Sequence, residues 1–249
     1  RADVSHALRG SGVAAYLDAA QIIACARDAG CDAIHPGYGF LAESATFARQ
    51  CAEAGLTFVG PRPELLDLLG DKARARALAE RCGVPILAGT PGAVSLTEAA
   101  AFLAAQPAGA AVVVKAIAGG GGRGMRVVHD RGVLADAWAR CRSEAEAAFG
   151  NGELYVERFL PRARHVEVQI LGDRAGHVRH LWERECSLQR RQQKLVEIAP
   201  SPGLAPDLRE RLIAAALRMA TEIRYDGLGT FEFLLDANVA ADVRRGSVD

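Results

Sequence analysis

The sequence predicts an α/β protein, with a smaller α+β lobe set into it. Three observations carry that prediction. Between residues 12 and 60 single helices alternate with short strands; "VVVKAIAGGGGRGMRVV" (residues 112–128) puts a glycine turn between two valine strands; and the second half holds long alternating strands.

The elements follow in order. Residues 13–30, VAAYLDAAQIIACARDAG, have helical apolar spacing and end on Gly30, suited to a helix C-terminus. CDAIHPG is a short strand closed by Pro36 and Gly37. ESATFARQCAEAG (43–55) is a second helix, and LTFVGP a second strand stopped by Gly60 and Pro61. Strands joined through single helices pair in parallel, so a partial Rossmann-like unit is expected over 1–68. DKARARALAERCG (71–83) is an amphipathic helix capped by Asp71, inside a helical connection over 69–87. Residues 88–159 read as a separate lobe: helix 96–105, strand 111–116, glycine turn, strand 125–129, helix 133–149, strand 153–157. Over 160–249 the strands HVEVQIL, HVRHLWERE and KLVEIAP precede a helix over 206–224 and the strand GTFEFLL. The closing DANVAADVRRGSVD has no hydrophobic period and is expected to fray.

Composition narrows the function. The 249 residues are 50% hydrophobic and 24% charged, with 30 basic and 30 acidic side chains, so no global charge favours nucleic acid or an anionic membrane. The six cysteines form no CxxC pair and read as buried free thiols of a reducing compartment. No apolar run approaches the ~18 residues of a membrane span, and the first ten residues lack a signal-peptide core, which makes a cytoplasmic protein the expectation.

Gly119, Gly121 and Gly124 formally match the dinucleotide fingerprint GxGxxG, but that motif needs a helix after the glycines, and MRVVHD alternates as a strand. A Walker A loop is excluded because no Gly-Lys-Ser/Thr follows. The remaining reading is a hairpin. Its tip is either a lid whose bare N–H groups approach phosphate, with Lys115 as a point charge, or a solvated surface turn. The alternating strands leave a similar choice. RHVEVQIL puts His165, Glu167 and Gln169 on one face, and GTFEFLL puts Thr230, Glu232 and Leu234 on one face: a solvated surface or a polar cleft. In a cleft, Glu232 becomes a candidate Mg²⁺ ligand, since magnesium takes one or two carboxylates plus phosphate oxygens. CSLQRRQQKLVE (186–197) is basic with scarcely any acid, either a solvated loop or an anion site with Lys194 entering the next strand.

Taken together, HPGYGFLAES (35–44), GDK (70–72), VVVKAIAGGGGRGMR, RHVEVQIL, ECSLQRRQQK and GTFEF resemble, in this order, the biotin carboxylase component of biotin-dependent carboxylases, an ATP-grasp enzyme. The resemblance runs from about residue 13 to 235. HPGYGFLAE and CSLQRRQQK are specific to the family, whereas the glycine loop is shared across ATP-grasp proteins. It implies ATP- and bicarbonate-dependent carboxylation of the ureido nitrogen of biotin, through carboxyphosphate, with Mg²⁺ or Mn²⁺. The biotin is carried on a partner domain that also serves a carboxyltransferase, and members are often homodimers.

By the same resemblance, Lys72 and Lys115 contact nucleotide phosphates beneath Gly119, Gly120, Gly121, Gly122 and Gly124. Glu157, Arg158, Phe159 and Leu160 form the adenine hinge. His165, Gln189 and Gln192 line the nucleotide pocket, Glu232 holds the metal, and Lys194 with Gln193 holds bicarbonate. Two departures stand out. Gln192 replaces the usual His near the ribose, which is expected to weaken binding without abolishing it. After Leu235 the family's second metal Glu and its N-x-R-x-Q-V-E-H block are not found. The chain therefore reads as part of a biotin carboxylase, cut at both ends and expected not to turn over alone. A non-catalytic nucleotide-binding module, or another ATP-grasp ligase such as a carbamoyl-phosphate synthetase or D-alanine ligase, is the alternative; HPGYGF and CSLQRRQQK disfavour the latter.

Overall fold

The computed structural model describes residues 2–118, 124–190 and 193–237. Near the amino end, β1 (Ala33–Ile34) and β2 (Thr57–Phe58) pair in parallel. Helices α1 (Val13–Leu17), α2 (Ala19–Asp28) and α3 (Ala45–Glu53) accompany them, with a 3₁₀ turn at Phe40–Glu43 before α3. Ile34, Phe47, Cys51 and Leu56 form their shared core. The single helix expected over 13–30 is broken at Asp18. Its carboxylate accepts the Gln21 N–H at 3.0 Å and caps a new helix there, so local capping overrides the apolar spacing. Helix α4 (Pro63–Gly70) was not anticipated within the expected amino-terminal unit; Pro63 sits at its first turn, where no N–H is needed. Helix α5 (Lys72–Arg81) begins as expected, with Asp71 accepting from Ala73 and Arg74.

A second sheet has the order β4-β3-β5, all antiparallel, from β3 (Val112–Ala116), β4 (Met125–Val128) and β5 (Leu154–Arg158). A strand does follow the glycine turn. Gly124 takes φ 64°, and a β-carbon there would come within 3.0 Å of the Ala116 side chain, which makes glycine necessary at the closing end of the turn. Helices α6 (Leu96–Ala104) and α7 (Leu134–Phe149) cover one face, where Val112, Val114, Val128, Leu154 and Val156 are buried. Alternation sends Lys115, Tyr155 and Glu157 to the other face.

The third sheet has the order β8-β7-β6-β9, again antiparallel, with β6 (Ala163–Gly172), β7 (Val178–Arg190), β8 (Gln193–Ile198) and β9 (Gly227–Asp236). Val166, Val168 and Ile170 pack against Leu212, Ala216 and Ala220 of α8 (Pro206–Glu222). Phe231 and Phe233 turn to the same side, toward Leu78, Ala215 and Met219. The opposite face carries His165, Glu167 and Gln169 beside Glu232. Asp236, expected in the frayed tail, belongs to β9; residues 238–249 lie outside the described residues.

The six cysteines are free thiols, but not all are buried as expected: Cys31, in the loop after α2, is exposed, and Cys25, within α2, and Cys82, at the end of α5, are half-buried. Among the described residues no helix is long and apolar enough to cross a membrane.

Candidate functional site

Two clusters of charge lie on the polar faces of the second and third sheets. The first gathers around Lys115. Its ammonium pairs with Glu157 on the neighbouring strand, and Glu157 also accepts from Arg76 at 3.2 Å. Arg76 is one helical turn beyond Lys72 on α5 and donates as well to the Leu87 carbonyl at 2.8 Å. Lys72 reaches across to β3 and donates to the Ala116 and Ile117 carbonyls at 3.2 and 2.9 Å, at the base of the glycine hairpin. Burial, followed by the nearby Lys115 charge, pulls the Lys72 ammonium below its ordinary range. Burial and the facing Glu157 push the Tyr155 hydroxyl up. Two lysines from different elements thus converge on one place, with Glu157 as their nearby carboxylate.

Backbone spacing keeps this cluster tight. The segment before α6 bridges to β5 at Gly89, and a β-carbon on Gly89 would press on the Val156 carbonyl at 3.0 Å and the Glu157 side chain at 3.1 Å. The residues expected to form an adenine hinge continue from β5. Arg158 N–H bonds the Ala88 carbonyl at 2.8 Å, and Phe159 N–H bonds the Ala111 carbonyl at 2.9 Å. Phe159 stacks edge-on to His129, and Leu160 is half-buried.

The second cluster centres on Glu167, 1% exposed. Strand register sets it directly opposite Glu232 on β9 and Arg184 on β7. Two carboxylates directly opposite repel, and Lys194 resolves the conflict: its ammonium bonds Glu167 and also Glu232 Oε1, the latter at 2.7 Å. Arg184 completes the neutralisation of Glu167 and donates to Gln169 Oε1 at 2.7 Å. Burial alone would lower the Lys194 pKa, but the hydrogen bonds from its ammonium to Glu167 and Glu232 outweigh it and push it up. The His165 ring beside Glu232 Oε2, 3.6 Å away, and then Lys194 hold the Glu232 carboxyl down to about 2, against the contrary effect of burial.

His165 is oriented from two sides. Gln189 Nε2 lies 2.8 Å from its Nδ1, and the Ser187 hydroxyl accepts its backbone N–H at 2.8 Å. Gln193 opens β8 one residue from Lys194 and is exposed. Gly119, Gly120, Gly121, Gly122 and Gln192 lie outside the described residues.

Donor atoms of His165, Glu167 and Glu232 lie within 4.8 Å of one another, the spacing of a cation site. Their chemistry divides them. Glu167 is buried and held by both Lys194 and Arg184, whereas Glu232 shares Lys194 and its side chain is 52% exposed. Glu232 therefore fits a hard divalent cation as a single carboxylate ligand, the remaining positions being filled by phosphate oxygens and water.

Sequence reasoning missed two members of these clusters. Arg184 sits in HLWERE, and its pairing with Glu167 is set by the register of β6 against β7, which alternation alone does not fix. Arg76 falls four residues after Lys72, on the same helical face.

Residues 71–242 match the family model "Carbamoyl-phosphate synthase L chain, ATP binding domain", and residues 1–66 match "Biotin carboxylase, N-terminal domain". Pyruvate carboxylase of Schizosaccharomyces pombe is 52% identical over 91% of this chain, and that of Staphylococcus aureus 48% identical over 90%. The chain spans 19% of the length of each. Among solved structures, the biotin carboxylase domain of Hydrogenobacter thermophilus 2-oxoglutarate carboxylase, in complex with MgADP, ADP and bicarbonate, superposes with a TM-score of 0.86 at 44% identity, over 92% of this chain and 50% of that one. Biotin carboxylase from Campylobacter jejuni gives 0.84 at 46% identity, over 90% and 50%.

Proposed function

The chain belongs to the biotin carboxylases, within the wider family of the carbamoyl-phosphate synthase L chain ATP-binding domain, and from that membership we propose that it supplies the nucleotide-phosphate and bicarbonate-binding part of an enzyme that carboxylates biotin with ATP and bicarbonate. The observation that carries the reading is the convergence of Lys72 and Lys115 at the base of the glycine hairpin.

Phosphoryl transfer needs positioning and charge neutralisation more than covalent help. Lys115 exchanges its Glu157 partner for phosphate oxygens, and Lys72 exchanges the Ala116 and Ile117 carbonyls. The released Glu157, still held by Arg76, remains beside the backbone of Arg158 to Leu160, where adenine is held. Gly124, without a side chain, leaves room for the phosphates at the closing end of the turn. His165, set by Gln189, contacts the nucleotide, and Gln192 accompanies it.

Glu232 would hold the Mg²⁺ or Mn²⁺, which when bound neutralises phosphate charge. Lys194, with its proton held firmly, is the cationic partner of bicarbonate, and Gln193 beside it offers an amide. Bicarbonate oxygen takes the γ-phosphoryl group to give carboxyphosphate and ADP. Carboxyphosphate then breaks down to CO₂ and phosphate; the phosphate takes the proton of the biotin ureido nitrogen, and that nitrogen bonds the CO₂ carbon. The biotin arrives on a carrier domain and leaves carboxylated for a carboxyltransferase.

Calorimetric titration of the 249-residue chain with ADP·Mg²⁺ tests the reading. Lys115→Ala is expected to weaken binding about tenfold, the worth of one charge-assisted contact. Equal affinity in wild type and variant would overturn it.

A further inference from the structure

A cavity of about 610 Å³ opens between β2 and the turn linking α8 to β9, and none of the nucleotide or bicarbonate residues lines it. Ala48, Ala52 and Phe58 supply apolar lining; Arg62, Arg174 and Arg224 supply basic lining, with Asp226 as the only carboxylate residue among the described residues that line the cavity. Arg62 is fixed: it donates to the Arg224 and Ile223 carbonyls at 2.8 and 2.7 Å and pairs with Asp226 at 3.5 Å.

Arg174 and Arg224, by contrast, make no side-chain hydrogen bond and no ion pair among the described residues. Arg224 stands at φ 48°, a left-handed conformation unfavourable for a long side chain. Its guanidinium lies over Gly176, whose β-carbon would come within 3.3 Å of Arg224 Nε. At Gly227, φ 88°, a β-carbon would sit 3.1 Å from the nitrogen of Pro61, one of the lining residues. The cavity is thus lined both by two arginines without a side-chain partner among the described residues and by aromatic and aliphatic residues. Its volume falls within the roughly 300–1,000 Å³ of small-molecule sites.

We propose that this cavity binds an organic phosphate, its dianion on Arg174 and Arg224 and its apolar body against Phe58 and the Ala48–Ala52 side of α3. Guanidinium forks match phosphate oxygens in pairs, which a solvated lysine patch would not do. The assignment is independent of the biotin carboxylase reading, because it shares no residue with it.

Phenyl phosphate is the probe, titrated into the 249-residue chain while the arginine Nε–Hε resonances are followed by NMR. Both arginines are exposed, so Arg174→Gln/Arg224→Gln leaves the fold intact, which circular dichroism checks. The expected result is saturable binding, shifts in the two assigned resonances, and a loss of about tenfold or more in the double variant. Lys115→Ala leaves this binding unchanged, and inorganic phosphate binds more weakly than phenyl phosphate. Undiminished binding in the double variant, or no saturation by about 20 mM, a ligand concentration far above the Kd of a useful site, overturns the proposal. Equal binding of inorganic phosphate overturns the organic part of it.

Discussion

Lys194→Met removes the cation that lets Glu167 and Glu232 face each other. Their carboxylate oxygens lie within 4.8 Å, so at an effective dielectric of about 20 the bare repulsion is about 3.5 kcal/mol, and in water about 0.9 kcal/mol. Glu232 is 52% exposed and can turn outward, which moves the answer toward the lower figure. Against that, Glu167 is buried and loses one of its two charged partners, while Arg184 remains. A net destabilisation of about 2 kcal/mol follows, which lowers the urea midpoint by roughly 1 M for an m-value of about 2 kcal/mol/M. Adding Glu232→Gln to Lys194→Met removes the repulsion and recovers about half of the loss. Urea titrations of wild type, both single variants and the double variant, followed by circular dichroism, measure this as a double-mutant cycle. A Lys194→Met protein as stable as wild type, or a double variant no better than Lys194→Met, would refute the reasoning.

Other outcomes follow from the same structure. Because the Glu232 carboxyl is depressed from 4.5 to about 2 in the folded protein, its contribution to stability is complete above about pH 4.5 and is lost as pH falls toward 2; Glu232→Gln flattens that slope, and midpoints measured across this window check it. Leu78→Ala, at a wholly buried position between α5 and α8, costs about 2–5 kcal/mol, readable as a fall in the urea midpoint. Gly172→Ala forces a β-carbon into the Tyr225 carbonyl oxygen, and a loss of about 1–3 kcal/mol or more is expected from thermal unfolding. Ser95→Ala removes the capping box that Ser95 forms with Glu98 at the start of α6 and costs about 1 kcal/mol.

Period and punctuation carried most of the fold. The valines on either side of the glycine hairpin, the two-residue alternation of RHVEVQIL and GTFEFLL, and the Asp71 cap each act within a few residues, so they were legible in the sequence. Asp18 shows where such reading fails: one carboxylate competing for a backbone N–H cut a helix that the apolar spacing would have continued. Among the site residues, Lys115, Lys194, Glu232 and the glycine turn stood out by context, the remaining candidates through family resemblance. The partners Arg76 and Arg184 did not, because they depend on which helix crosses which strand and on strand register. The Glu157–Lys115 pair is likewise invisible in one dimension, since 42 residues separate its members.

In the proposed reaction the lysines beneath the hairpin and the Lys194–Glu232 pair act together on one nucleotide and one bicarbonate. Relaxation of ¹³C-bicarbonate by Mn²⁺·ADP in the presence of the chain tests it most directly, since the paramagnetic ion acts only at short range. Enhanced relaxation is expected in wild type, with its loss in Lys194→Met, in Glu232→Gln and in Lys115→Ala. Enhancement that persists undiminished in Lys194→Met, or a wild type that shows none while binding ADP·Mn²⁺, would contradict it.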